Sequence, residues 1–324
     1  MWIPAKSLFL PTYLVLPSSL NMRKRLLWLL PILLIAAVYL YPVPKKDAFD
    51  LYAGADKAPI QGLAAFRKQP TAIMNTQGYD WTYIVLGKGP KTILFLHGMT
   101  GGYDFWWQQM NAFSPDYRVI SVTYPPVDNL SELGKGIVAI LDQEKVDSTV
   151  VVGSSLGGYL TQYLAATYPQ RVMKAVFGNT FPKNDLLEEK NKGKVAVAAW
   201  LPDWVVMGGL RQNLTDVVIP ASENNPLAGA QLLENAYGRM SKAQFLARYH
   251  CVVDKFQPID GNQTKIPVLI LESDNDPLVP AELRTQLKQY YKTAQVHTFH
   301  AKGHFPYLNA KDEYNKVLRD FLSK

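Results

Sequence analysis

A single cysteine, Cys251, stands among 324 residues, which rules out an intrachain disulfide and leaves the redox compartment open. No group of His, Cys, Asp and Glu has metal-ligand spacing, so the sequence asks for no metal and no other cofactor. Acid is missing from residues 1–46, which hold Lys6, Arg23, Lys24, Arg25, Lys45 and Lys46. Those six account for most of the net charge of +7 and leave the rest of the chain near neutral. A near-neutral body gives no electrostatic footprint for nucleic acid, whatever the overall isoelectric point. No repeat of solenoid period is visible. Long charge-free runs are scarce too, and the one at Leu26–Tyr41 sets the N-terminal arm apart from the rest.

That arm, residues 1–44, has Met22-Arg-Lys-Arg25 before the apolar run and Pro42-Val-Pro-Lys-Lys46 after it. A basic flank followed by an apolar run is the pattern of a signal sequence or signal anchor. Taken to Val43, the run would extend about 27 Å as a helix, slightly under the ~30 Å core of a bilayer, with a bend at Pro31. No small-x-small cleavage site follows it. The expectation is an uncleaved single-pass anchor at about 26–43, with secretion after cleavage as the alternative. Basic residues are denser on its N-terminal side, so the positive-inside rule places the body on the non-cytoplasmic side, periplasmic or extracellular. Met22-Arg-Lys-Arg also reads as a signal n-region, which makes Met22 a candidate translation start.

In the body, 45–324, the strongest local signal is Thr149-Val-Val-Val-Gly-Ser-Ser-Leu-Gly-Gly158. A β-branched run ends in Gly153-Ser-Ser155-Leu-Gly157 and turns to helical period from Tyr159. Strand, sharp turn and helix around Gly-x-Ser-x-Gly is the setting of a nucleophile elbow, in which side chains at 153 or 157 would collide with backbone. Ser155 is the candidate nucleophile.

Around it, Ile73–Leu86 alternates about Gln77-Gly78 as an antiparallel hairpin. Lys91–His97, Arg118–Pro125, Val172–Gly178, Lys265–Glu272 and Ala294–His300 read as buried strands. Helical patterns lie between them, and strands alternating with helices imply a mostly parallel, doubly wound α/β sheet with helices on both faces. The rhythm stops between about 181 and 260. This stretch leaves the carboxyl end of a strand, where ligands bind in such sheets, and reads as a helical cap with segments near Asn225–Gly238 and Ser241–Phe256. Its Trp200 and Trp204 are candidate substrate contacts.

A serine hydroxyl needs a base within hydrogen-bond reach and the base needs an orienting group. His304, in the loop Ala301-Lys-Gly-His-Phe-Pro306 past the last strand, is the candidate base. His97 ends a strand in a His-Gly turn and reads as a brace for that loop. His250 falls in the cap, and His297 and His300 alternate along a strand. The loop after Pro267–Leu271 offers Glu272, Asp274 and Asp276. Asp276, furthest into the loop, is the candidate acid, with Asp274 as runner-up. The N–H groups of Met99 and Leu156 are the candidate donors to an oxyanion.

Phe95-Leu-His97-Gly-Met-Thr-Gly-Gly102, Gly153–Gly157, Asp276-Pro-Leu-Val-Pro280 and Gly303-His304-Phe, in this order, resemble the α/β-hydrolase fold family over about residue 70 to the C-terminus. Tyr117–Pro125, Gly153–Gln162 and Phe305-Pro-Tyr-Leu308 are similar to its maspardin branch. The combination of an anchor with a hydrolase body is similar to anchored monoacylglycerol-lipase-like enzymes. The resemblance implies a serine hydrolase that cleaves a lipophilic carboxylic ester through an acyl-enzyme. Thioester, amide, C–C and perhydrolase chemistries use the same triad, whereas a serine at 155 argues against dehalogenase and epoxide-hydrolase branches. The maspardin branch implies an alternative, a membrane-tethered adaptor without turnover, although that branch often lacks the acid and the histidine that Asp276 and His304 supply here.

Overall fold

A computed structural model of the chain describes residues 19–259 and 264–324, with side chains from Trp28 onward. The chain divides into two units at Pro42. The first contains α1 (Ser19–Leu40). The anchor expected over 26–43 is not found: among the described residues, no helix is long and apolar enough to cross a membrane. Composition and bounds give the reason. Arg23, Lys24 and Arg25 lie inside α1, and the helix stops at Leu40 instead of continuing to Val43. Its uncharged part, Leu26–Leu40, would reach about 22 Å, well short of a ~30 Å hydrocarbon core. The expected membrane attachment through this segment, and the non-cytoplasmic placement that rested on it, are withdrawn. Residues 1–18, which bear on Met1 or Met22 as the start, lie outside the described residues.

The second unit starts with α2 (Ala48–Tyr52) and α3 (Lys57–Arg67), followed by the hairpin of β1 (Thr71–Thr76) and β2 (Tyr79–Leu86). Gln77 and Gly78 join the two strands with φ of 57° and 77°. Paired left-handed residues are what a two-residue turn needs to match the twist of its strands. Strand and helix then alternate through β3 (Thr92–Leu96), α4 (Trp107–Phe113), β4 (Arg118–Thr123), α5 (Leu130–Gln143), β5 (Thr149–Ser154), α6 (Leu156–Thr167) and β6 (Val172–Gly178). Next come α7 (Leu186–Trp200), α8 (Asp203–Asn213), α9 (Pro226–Glu234) and α10 (Lys242–Val253). The chain closes with β7 (Val268–Ser273), α11 (Ala281–Tyr290), β8 (Gln295–Phe299), α12 (Pro306–Asn309) and α13 (Lys311–Ser323).

Among the described residues, eight strands form one sheet in the order β1-β2-β4-β3-β5-β6-β7-β8. Every pairing from β4 to β8 is parallel, and β2 joins β4 antiparallel. Because strand side chains alternate, each central strand feeds two cores. Ile93, Phe95, Val150, Val152, Val176 and Leu269 meet α4 and α13 on one face. Leu94, Leu96, Val151, Phe177 and Ile270 meet α5, α6 and α11 on the other. Burial on both faces explains why these strands read as continuous apolar runs. The strand order reverses between β3 and β5, so the chain leaves their carboxyl ends toward opposite faces of the sheet, α4 on one and α6 on the other. α7 differs from its neighbours because it buries no side chain. Lys255 pairs with Asp185 at 2.5 Å and Glu188 at 3.1 Å near its start. Lys242 donates to the Ala199 and Leu201 carbonyls at its end.

Candidate active site

Ser155 caps α6 with φ 56° and ψ −122°. A non-glycine residue held there costs about 1–3 kcal/mol and persists only where its surroundings impose it. The surroundings here are backbone. A Cβ on Gly153 would lie 2.0 Å from the Gly157 carbonyl oxygen, and one on Gly157 would lie 2.1 Å from the Leu96 carbonyl oxygen. Glycine at both positions lets α6 press against the β3 end and thrusts residue 155 out of the turn. The Ser155 N–H donates to Gly178 O (2.9 Å), and Thr180 Oγ1 donates to Ser155 O (2.7 Å).

The loops after β7 and β8 bring the acid and the imidazole together. Asp276 Oδ2 lies 2.8 Å from His304 Nδ1. The same oxygen accepts from Asn179 Nδ2 at 2.9 Å, while Oδ1 accepts from the N–H groups of Leu278 and Val279 at 2.9 and 3.2 Å. Burial by itself would raise this carboxyl, but the His304 charge and the hydrogen bonds from His304, Asn179 and Leu278 outweigh it and hold the group below its ordinary range. Asp274 turns outward to His300 Nδ1 at 2.8 Å and to the Ala301 N–H. Among the described residues no hydrogen bond joins Ser155 Oγ to His304; the two are linked through Gly178, Asn179 and Thr180 instead. Catalytic contacts of this kind commonly close only around substrate.

On the other side of Ser155 runs the loop from His97 to Asp104. A Cβ on Gly98 would sit 3.3 Å from Ser155 Cβ, so the Gly98–Met99 peptide lies directly against the serine. Its carbonyl accepts from His97 Nδ1 (2.6 Å) and from the Gly101 N–H (3.1 Å). A trans peptide held by its oxygen presents its N–H the opposite way, which fixes the direction of the Met99 donor. The Leu156 N–H, in the first turn of α6, has no intrahelical acceptor. The loop is tied down from α10, where the buried Arg248 donates to the Met99, Gly101 and Tyr124 carbonyls at 2.9–3.0 Å. Asn235 Nδ2 donates to Thr100 O, and Arg67 and Arg239 both pair with the buried Asp104.

His97 is neutral in this setting. The Tyr124 N–H approaches Nε2 (3.4 Å), which assigns the proton to Nδ1. Burial first, and the Arg248 charge second, push its pKa well below the usual value against the pull of the Gly98 carbonyl. A histidine with a depressed folded pKa takes up its proton more readily when unfolded, so its contribution to stability is full above about pH 6.5 and is lost as pH falls below it. The expected result is a thermal-unfolding midpoint that declines from pH 7 to pH 5, at up to about 1.4 kcal/mol per pH unit. His97→Asn should be less stable at pH 7 and lack that slope. A flat wild-type profile over this range would mean that His97 is not held neutral.

Of the expected substrate contacts, Trp200 ends α7 and is 81% exposed, and Trp204 is half-buried in the first turn of α8. Asn179 was not singled out from the sequence. Its signal was a polar residue at the carboxyl end of a buried strand beside the elbow strand, where site residues concentrate in such sheets.

The Alpha/beta hydrolase family model matches residues 93–317. A 2-hydroxy-6-oxononadienedioate/2-hydroxy-6-oxononatrienedioate hydrolase of Paraburkholderia phymatum is 25% identical over 74% of this chain and 89% of its own length. Maspardin of Danio rerio is 26% identical over 72% of this chain and 76% of its own. Among solved structures, the enol-lactonase from Burkholderia xenovorans LB400 superposes with a TM-score of 0.67 at 17% identity, covering 78% of this chain and all of that one.

Proposed function

Because the chain belongs to the alpha/beta hydrolase family, in which similar proteins are hydrolases, we propose that it is a serine hydrolase that cleaves a neutral, lipophilic carboxylic ester through an acyl-enzyme. The observation that carries the reading is the buried Asp276–His304 pair on the sheet edge where Ser155 leaves its elbow. Ser155 Oγ attacks the ester carbonyl carbon and His304 Nε2 takes its proton. Asp276 holds the proton on Nδ1 and stabilises the imidazolium. The Met99 and Leu156 N–H groups stabilise the carbonyl oxygen as it becomes anionic. His304 returns the proton to the leaving alcohol, leaving an acyl group on Ser155. Water, deprotonated by His304, then releases the carboxylic acid.

A neutral substrate is favoured over a dianionic one because the arginines nearest these loops are committed. Arg248 is occupied by three carbonyls, and Arg67 and Arg239 by Asp104 and Glu234. A helical cap made of α7–α10 would then close over the acyl chain, with Trp204 as a substrate contact. Trp200, as exposed as it is here, would reach the chain only if α7 moved.

The reading is tested with p-nitrophenyl esters of two to sixteen carbons, an enol-lactone, and a 2-hydroxy-6-oxo-dienedioate. Ester turnover with a preferred chain length is expected, and no turnover of the diacid. Turnover of the diacid alone would overturn the ester reading within the family. A maspardin-like binding role would instead leave every substrate unchanged and Ser155 unlabelled by a fluorophosphonate.

A further inference from the structure

The end of β6 is tied to Ser155 and to the loops that carry Asp276 and His304 through three consecutive residues. Gly178 O and Thr180 Oγ1 hold the Ser155 backbone at 2.9 and 2.7 Å. Between them, Asn179 reaches Asp276 and the loop of His304. Its Nδ2 lies 2.9 Å from Asp276 Oδ2 and 3.3 Å from the carbonyl of Gly303, the residue before His304. We propose that Asn179 is a positioning residue, whose amide clamps the acid's loop to the histidine's loop so that Asp276 Oδ2 stays aimed at His304 Nδ1.

Several observations support this beyond the two contacts. Both partners are acceptors, so only the NH₂ end of the amide can face them, and its orientation is fixed. The side chain is 1% exposed, so water does not compete for these bonds. The backbone of Asn179 has φ 40°, in the left-handed region that asparagine enters more readily than most residues, and its N–H donates to Leu271 O at 2.7 Å. Asp276 is the titrating group that the amide meets, with His304 on the far side of the same carboxylate oxygen, whereas their charged neighbours are engaged elsewhere. Asp274 pairs with His300, Glu272 with Lys288, and Glu223 accepts from Asn275. A donor at this position keeps the carboxylate ionised and still; an oxygen there would repel it.

Two substitutions in the full chain separate this role from plain packing. Asn179→Gly tolerates the left-handed backbone and deletes the amide. Asn179→Asp keeps the shape and replaces the donor with an acceptor. The first readout is the NMR titration of the His304 ring in labelled protein, assigned with His304→Gln. Loss of the donor makes Asp276 more basic, so the His304 midpoint should rise in both variants, by about one pH unit in Asn179→Asp. The second readout is ester hydrolysis: kcat should fall about 10- to 100-fold with KM nearly unchanged, and the acid limb of the pH profile should move upward.

Unchanged titration in both variants overturns the proposal, and so does a fall in kcat with no movement of the midpoint, because a packing role would do that. Should Asn179→Gly not fold, Asn179→Asp decides alone. The kinetic readout rests on the serine-hydrolase reading and the titration does not. A shifted His304 midpoint in a protein without Ser155-dependent turnover would sink the hydrolase reading and leave the clamp standing.

Discussion

Ser155→Ala should reduce ester hydrolysis by about 10⁴- to 10⁶-fold in kcat while leaving the thermal midpoint within a few degrees of the native protein. The two halves of that expectation have separate causes. The hydroxyl supplies the electron pair that forms the acyl bond, and no other nucleophile stands at the elbow to take its place. Its removal costs the fold little, because Ser155 is half-buried and its side chain has no hydrogen bond among the described residues. Alanine faces the same strained φ, set by the contacts of Gly153 and Gly157 and not by the serine itself. Some residual rate would persist from binding and the oxyanion donors. The check is kcat on the best ester together with the mass of fluorophosphonate-treated protein. A variant that keeps more than a small fraction of the rate, or still gains the phosphonate, would place the nucleophile elsewhere.

Asp276→Asn should lower kcat by about 10⁴-fold and also destabilise the fold by about 1–3 kcal/mol. Each carboxylate oxygen accepts two donors: Oδ2 those of His304 and Asn179, Oδ1 those of Leu278 and Val279. An amide in this place puts an NH₂ against two donors in either orientation, so rotation cannot relieve it. The imidazole loses the acceptor that keeps its proton on Nδ1 and turns Nε2 toward the serine as a base. Asp274→Asn is the control, because that side chain lies on the exposed rim with His300 and Ala301, and it should change kcat less than tenfold. Activity near the native level in Asp276→Asn, measured beside denaturant unfolding, would remove Asp276 from the triad.

How far the sequence could be read depended on whether the physics at each position was local. The strands with both faces buried announce themselves as apolar runs, and the Gln77-Gly78 turn by its residue types. Gly153 and Gly157 signal the elbow because the close approach of α6 to β3 excludes any Cβ there. The helices between β6 and β7 were harder. α9 and α10 carry capping residues, Asn225 and Ser241, whose side chains accept from the first turns. α7 carries no continuous apolar stripe, since it buries no side chain fully and meets the domain through partly covered residues such as Leu187, so helical periodicity is weak there. The N-terminal run differs for another reason: hydropathy alone extends it to Val43, whereas the helix ends at Leu40 and takes in three basic residues. Asn179 and Arg248 are out of reach of the sequence because their importance lies in partners 97 to 149 positions away, and one sequence holds no trace of such pairing. Asp274 and Asp276 could be ranked but not separated until the loop's fold turned one outward and the other in.

The lack of any buried side chain in α7 has a consequence for how the chain can diverge. Substitutions at exposed positions away from buried contacts usually change stability by less than about 0.5 kcal/mol. The exposed positions among the fifteen residues of α7 can therefore drift or change charge while the buried Asn179, Asp276 and His304, and the half-buried Ser155 beside them, stay under strict constraint. New variants of this protein will differ first along α7.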